Sequence, residues 1–381
     1  TYIAPLQPHT LAQFLAWGSS AGAGRIRLTR CKCRKKIYLC KKLLTMIRKS
    51  YIFIIVLLVV LASCITWGYT AFYGNCVRSE RSLYVYRDCD YDSLVRLIEP
   101  DIKHRTAFGI YARRINLAST FRAGHYRLEK GMSVIDVARM LKLGIETPVR
   151  VTINNVRTPA ELAGKVARQL EADSVSFLRA FTSDSLARTV GFDSLRLFSM
   201  FIPNTYELYW TVTPDQFVRR MRREYDAFWT PERDAKLERL KMDRYEVMTL
   251  ASILYEETKA VDEMPRIAGV YVNRLQRGIP LQACPTVKYA MQDFTLRRVL
   301  RKHLRYQSPY NTYLNKGLPP SPICMPSIAA IDAVLDYEKH QYLFFCARPE
   351  MDGHHNFART LREHNANGRA YAAALDRLQI K

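Results

Sequence analysis

The 381 residues suffice for two modest domains and an anchor, and a hydrophobic share of 48% leaves ample material for a core. A formal charge of +23 invites a nucleic-acid reading, but the first 50 residues hold eleven Lys and Arg and no acid, so about half of the excess sits in one short block. Downstream there is no zinc-finger spacing, no ribonucleoprotein aromatic motif and no helix-turn-helix signal, and no nucleic-acid partner is expected.

The basic block directly precedes residues 51–73, an uncharged apolar stretch long enough for one crossing of a bilayer. Trp67, Tyr69, Phe72 and Tyr73 lie toward its far end, where an aromatic belt belongs, and the preceding Lys and Arg place the N-terminal side in the cytoplasm. Met46, Ile47, Arg48, Lys49 and Ser50 read as the natural beginning of a signal anchor over 46–75. Residues 1–45 then read as a non-native or cytoplasmic basic extension, outside the fold. Leu61, Ala62, Ser63 and Cys64 match a lipoprotein processing box, which would leave an acyl-anchored protein after cleavage. The apolar run continues beyond Cys64 and favours an uncleaved span.

Residues 76–153 open with a short mixed segment to Pro100. A strand is expected over 121–129 and a helix over 134–143, started by a Ser133/Asp136 capping box and stopped by Gly144. Alternating residues 147–153 read as a second strand. Residues 154–244 read as a helical connecting region. Thr158, Pro159 and Glu161 supply cap, first-turn proline and capping-box acid, and further helices are expected over 177–187 and 213–228. The aromatic run 201–210 around Pro203 suits either a groove wall or core. Three of the nine cysteines precede residue 46, Cys64 lies in the span, and the five others are unevenly spaced, which argues against a disulfide framework. No metal site is expected; His354 and His355 with His364 read as a solvated loop.

The segment 245–381 carries the chemistry. In the run Leu250, Ala251, Ser252, Ile253, Leu254, Tyr255, Glu256, Glu257, Thr258, a helical turn of about 100° per residue puts Glu257 between Ile253 and Leu254 on the apolar stripe. Glu256 points away and is expected to be solvated. Burial raises a carboxyl pKa, so Glu257 would carry a proton at neutral pH, as a general acid must. A glutamate paired with an arginine is the alternative. Downstream polar groups of the kind that hold sugar rings recur at Asn273, Gln282, Tyr310, Asn311, Thr312 and the His364–Asn365 pair, braced by proline-rich loops.

Ala251-Ser252-Ile253 through Glu257-Thr258, Val272-Asn273-Arg274-Leu275, Leu281-Gln282 with Pro285-Thr286-Val287, Tyr310-Asn311-Thr312-Tyr313 and Gly317-Leu318-Pro319-Pro320 together resemble the endolytic murein transglycosylase (YceG-like) family in order and spacing. The resemblance implies an α+β fold: one N-terminal transmembrane helix, a small LysM-like subdomain at 76–153, the helical linker and a catalytic domain at 245–381. It implies a lyase that cleaves the MurNAc–GlcNAc β-1,4 bond of nascent peptidoglycan, with the family's essential glutamate at Glu257. That residue would protonate the glycosidic oxygen, and its carboxylate would then draw the proton from the muramyl C6 hydroxyl, closing a 1,6-anhydro ring. No metal or cofactor is required. Asn273, Gln282, Tyr310, Asn311 and Thr312 become candidates for sugar contact or for orienting Glu257.

The resemblance also implies a single-pass protein of the inner (plasma) membrane with an extracytoplasmic, periplasmic catalytic domain. Penicillin-binding synthases and the elongation machinery are its implied partners. Two positions depart from the family pattern: Tyr255 stands where a glutamate is common and Cys284 where an aspartate is common. They keep open a second reading, a glycan-binding scaffold without activity. A hydrolase using Glu263 or Asp293 as second carboxylate is a weaker third.

Overall fold

The computed structural model describes residues 29–377 apart from residues 155, 297 and 298. Most of the 1–45 extension, residues 1–28, lies outside the described residues. The chain divides into two units, Thr1–Ala71 and Phe72–Lys381. In the first, the helix Thr29–Tyr73 runs without a break through Met46 and Cys64. Its segment Lys41–Tyr73 is the one described helix long and apolar enough to cross a membrane, and its apolar side chains from Tyr51 to Leu61 are exposed.

The second unit is mainly helical, with three separate two-stranded antiparallel sheets. β1 (Arg81–Val85) pairs with β2 (Gly124–Leu128), placing Leu83 opposite Tyr126 on the buried face. β3 (Val149–Ile153) pairs with β4 (Asn204–Leu208), with Val151 opposite Tyr206, and Thr152 and Thr205 hydroxyls 2.9 Å apart. β5 (Phe344–Ala347) pairs with β6 (His355–Ala358). The expected strands and intervening helix at 121–153 all form, but β2 and β3 do not pair with each other. Each takes an antiparallel partner from outside that segment, β1 in the mixed region and β4 within the aromatic run.

Local chemistry accounts for most helix boundaries. Ser133 accepts from the Asp136 amide at 3.2 Å, Asp136 accepts from the Ser133 amide at 2.9 Å, and Gly144 ends the helix Val134–Leu143 at φ 68°. Thr158 caps Pro159–Ala167, but Glu161 accepts from the Arg157 amide at 2.7 Å, one residue ahead of the cap. The single helix expected over 177–187 is two, Ser174–Phe181 and Asp184–Thr189. Ser183 caps the second by accepting from Leu186, giving the backbone an alternative to continued helix.

The aromatic run 201–210 is core. Phe201 packs edge-on to Phe181 at 5.1 Å and Phe177 meets Phe217 at 5.5 Å, while Tyr206 and Trp210 are buried. That core continues into the helix Arg244–Glu257, capped by Asp243 and Glu246 and buried around its whole circumference from Val247 to Leu254. It packs against Met264–Gln276, Cys284–Met291 and Ile328–Leu335. Gly269 lets Met264–Gln276 approach the chain at Glu338, where an added Cβ would sit 2.3 Å from the carbonyl oxygen. The helix Leu361–Arg377 lies over β5 and β6.

Candidate active site

Helix Arg244–Glu257 ends by aiming two adjacent carboxylates in different directions. Glu256 accepts from the Arg157 guanidinium at 3.0 and 3.3 Å and is largely buried, so the expectation that it is solvated is corrected. The arginine-paired alternative weighed for Glu257 belongs to its neighbour. Glu257 reaches a cavity of about 350 Å³. Its Oε2 is shielded and has no hydrogen-bond partner. Burial pushes its pKa up to about 7, with the Tyr271 phenol and the Lys288 ammonium pulling the other way. At neutral pH a substantial fraction therefore holds a proton.

Because the helix is buried on all sides, an apolar stripe does not single out Glu257. Its position at the last helical turn, where the helix emerges beside the cavity, does. Three buried side-chain atoms around the cavity lack partners: Glu257 Oε2, the Tyr271 hydroxyl and His364 Nδ1. They are half of the six such atoms among the described residues, and unsatisfied buried polar groups are rare enough to require a reason. The Glu257 carboxyl and the Tyr271 phenol act on each other, which accounts for two of the three.

Of the sequence candidates, Gln282 lines the cavity with Glu257. Its backbone is left-handed at φ 54°, its amide donates to the Thr312 carbonyl at 3.1 Å, and its side-chain oxygen accepts from Arg274 at 3.2 Å. Thr312 is buried and holds this turn: its hydroxyl accepts from the Ala283 amide at 3.1 Å and lies 2.9 Å from that of Thr286. Asn311, fully buried, donates to the carbonyls of Leu304 and Tyr306 at 3.0 and 2.8 Å. Tyr310 bonds Ser321 at 2.6 Å and packs on Tyr289. Asn273 donates to the carbonyls of His340 and Tyr342 at 2.8 and 3.0 Å. These four shape the loops around the cavity and do not line it.

The lining includes groups left out of that candidate set. Tyr271 lies among the buried residues of Met264–Gln276, one turn before Arg274. Arg274 spends its donors on the carbonyls of Leu343, Pro280 and Leu281 at 2.6, 3.0 and 2.8 Å. Cys284 and the Tyr313 hydroxyl are 3.2 Å apart, and burial pushes both pKa values up. His364 and Asn365 enter from the helix Leu361–Arg377, so the expectation that His364 belongs to a solvated loop with His354 and His355 is corrected.

Glu257 is the one carboxyl among the described lining residues. Glu263 is buried elsewhere, accepting from the His355 amide at 3.1 Å and bonding its Nδ1 at 2.9 Å, and Asp293 accepts from Thr295. Tyr255 lies under the Lys259 ammonium, 3.7 Å from the ring centre, and does not line the cavity. His354 pairs with Asp262 at 3.1 Å. Cys64, Cys76, Cys89, Cys284, Cys324 and Cys346 are free, and no cluster of three or more metal-ligand residues occurs among the described residues.

A mainly helical unit of this kind, with small strands, has known counterparts. The YceG-like family profile matches residues 87–370, and the chain belongs to that family. It is similar to the Bacillus subtilis (strain 168) protein named endolytic murein transglycosylase, 28% identical over 289 residues, covering 72% of this chain and 79% of that one. A protein of the same name from Streptococcus pneumoniae serotype 2 (strain D39 / NCTC 7466) is 28% identical over 299 residues; the alignment takes in 70% of this chain and 53% of its relative. The crystal structure of a yceG-like protein from Listeria monocytogenes aligns with TM-score 0.52 and 26% identity, over 75% of this chain and 98% of that one.

Proposed function

We propose that this protein is a membrane-anchored peptidoglycan lytic transglycosylase that cleaves nascent glycan strands internally and so terminates their elongation. The observation that carries the reading is Glu257, a carboxyl with no cationic partner in hydrogen-bond contact and a pKa near neutrality, facing a cavity that holds no other carboxyl among its described lining. Relatives named endolytic murein transglycosylase supply the substrate class.

Ordinary glycosidases place two carboxyl groups across the scissile bond. A lone acid suits a substrate that brings its own nucleophile. Protonated Glu257 donates to the oxygen between MurNAc and GlcNAc, and the muramyl C6 hydroxyl attacks C1 of the same sugar, closing a 1,6-anhydro ring. Holding the nucleophile within the substrate replaces a bimolecular step. Family resemblance makes the resulting carboxylate the acceptor of the hydroxyl proton. The helix Thr29–Tyr73 serves as a single-pass anchor in the inner membrane. Basic residues before the span would keep its N-terminal side cytoplasmic and put the catalytic domain outside. Penicillin-binding synthases and the elongation machinery are proposed partners by resemblance.

The test is mass spectrometry of peptidoglycan incubated with the purified protein. Products lighter by one water than hydrolysis products establish anhydro ends. Reducing ends establish a hydrolase. Intact strands with retained binding establish the scaffold that Cys284, the family departure lining the cavity, keeps open.

A further inference from the structure

About half of the positive excess lies downstream of the first 50 residues, and the helix Pro214–Phe228 concentrates part of it: Arg219, Arg220, Arg222 and Arg223 fall within five positions. At roughly 100° per residue, the buried Phe217, Val218, Met221 and Tyr225 share one face of this helix. Gln216, Arg219, Arg220 and Arg223 share the opposite one. That second face is a wall of a groove of about 770 Å³, which Arg87, Glu146 and the β4 residue Glu207 also line. The volume falls within the range of about 300–1,000 Å³ typical of ligand clefts.

Two of the four groove arginines have partners. Arg220 donates to Glu224 at 2.6 Å, while Arg87 lies 3.5 Å from Glu171 and donates to the Thr211 carbonyl. Arg219 and Arg223 are exposed and have neither an ion pair nor a hydrogen bond among the described residues. Spacing is the reason. Arg220 and Arg222 each have an acid four residues on, Glu224 and Asp226, whereas Arg219 has Arg223 and Arg223 has Ala227. A like-charge pair at that spacing weakens a helix, so Arg219 and Arg223 together oppose the fold that carries them. Two guanidinium forks one turn apart suit a carboxylate. In the same groove Glu207 is free of ion pairs among the described residues, and Glu146 accepts only from the Thr211 hydroxyl, at 3.1 and 3.2 Å.

We propose that this groove binds the acidic stem peptides of the glycan strand, with Arg219 and Arg223 holding a free carboxylate. The inference rests on the transglycosylase reading above and gives the strand a second point of attachment. Charge complementarity selects the occupant. Stem peptides carry free carboxylates together with the amino group of a diamino acid, and the groove sets unpaired cations beside carboxyls that have no cation in contact. A phosphate polymer would be repelled by Glu146 and Glu207, and an unsubstituted glycan has no charge for the arginines to hold. The groove shares no lining residue with the cavity at Glu257, so it acts on binding and not on the chemistry. Attachment at two points of one polymer raises the effective concentration of the scissile bond at Glu257.

The experiment titrates the free tetrapeptide L-Ala-γ-D-Glu-meso-diaminopimelate-D-Ala into the full chain in detergent, by calorimetry. Wild type is compared with R219Q/R223Q and with R239Q, a control at an exposed arginine outside the groove, each checked by thermal melt. Wild type and R239Q are expected to bind, more weakly as salt rises. R219Q/R223Q should bind about tenfold more weakly or worse, as for loss of charge-assisted hydrogen bonds. On stem-bearing strands its KM should rise by a similar factor at unchanged kcat, and on strands stripped of stems by an amidase it should match wild type. R223Q alone supplies the same comparison if the double variant does not fold. A folded variant that binds the peptide as wild type does, or whose KM rises equally on stripped strands, overturns the proposal. So does tighter binding of poly(glycerol phosphate) than of the peptide. Failure of the underlying reading looks different: the peptide still binds, while wild-type products carry reducing ends or E257Q still cleaves.

Discussion

Arg157 holds Glu256 through a bidentate contact at 3.0 and 3.3 Å, while the next residue, Glu257, is left without a cation in contact. One carboxylate is neutralised by its partner and the other by a proton. The two carboxyls thus meet opposite environments within one helical turn.

Glu256→Gln should therefore act on stability and not on chemistry. The pair is partly exposed, so its loss should cost about 1 kcal/mol in urea denaturation and leave cleavage within a few-fold of wild type. Loss of activity equal to that of Glu257→Gln would mean that the two roles are exchanged.

Glu257→Gln should abolish cleavage and raise stability. The folded pKa of about 7 lies above the ordinary glutamate value of 4.5, so the wild-type fold is favoured below about pH 4.5 and loses that advantage as pH rises through 7. Against the variant, wild-type stability should fall by up to about 3 kcal/mol between those limits. Thermal melts across that pH range measure it. A flat difference would show that the carboxyl titrates normally.

Cys284→Asp would place a carboxylate in the cavity beside Glu257. A like charge disfavours ionisation, so the Glu257 pKa should rise and the high-pH limb of kcat/KM should move upward. An unshifted limb would show that the two groups do not sense each other.

Thr312→Val removes the hydroxyl that accepts from the Ala283 amide and meets Thr286. The Ala283 amide loses its partner, at a cost of about 1–3 kcal/mol in denaturant, while the Thr286 hydroxyl keeps its bond to the Ala283 carbonyl. Unchanged stability with a raised KM would instead make Thr312 a sugar contact.

Gly269→Ala forces a Cβ to within 2.3 Å of the Glu338 carbonyl oxygen, a backbone atom that cannot rotate away. Calorimetry should show a loss of about 2 kcal/mol or more from overpacking. A neutral result would mean that the helix and the 338–340 segment can separate.

Local signals read well wherever the physics is local. The capping box at Ser133, the stop at Gly144 and the uncharged span at 51–73 depend on neighbours in sequence, and the structure has them where expected. Strand pairing was not legible: β2 and β3 are good strands, but nothing within them states that their partners are β1 and β4. The site divided similarly. Glu257 and Gln282 line the cavity, whereas Asn273, Tyr310, Asn311 and Thr312 turn their polar groups into the loops that frame it. A polar residue in a motif looks the same in sequence whether it faces a ligand or a backbone carbonyl.

By itself the sequence determined the family, the apolar segment long enough to cross a membrane and the carboxyl proposed as the acid, because spacing, composition and capping are properties of the chain alone. Only the tertiary structure decided which of two adjacent glutamates meets Arg157, and which faces Tyr271 and His364. That choice depends on elements roughly a hundred residues away arriving on either side of one helix end.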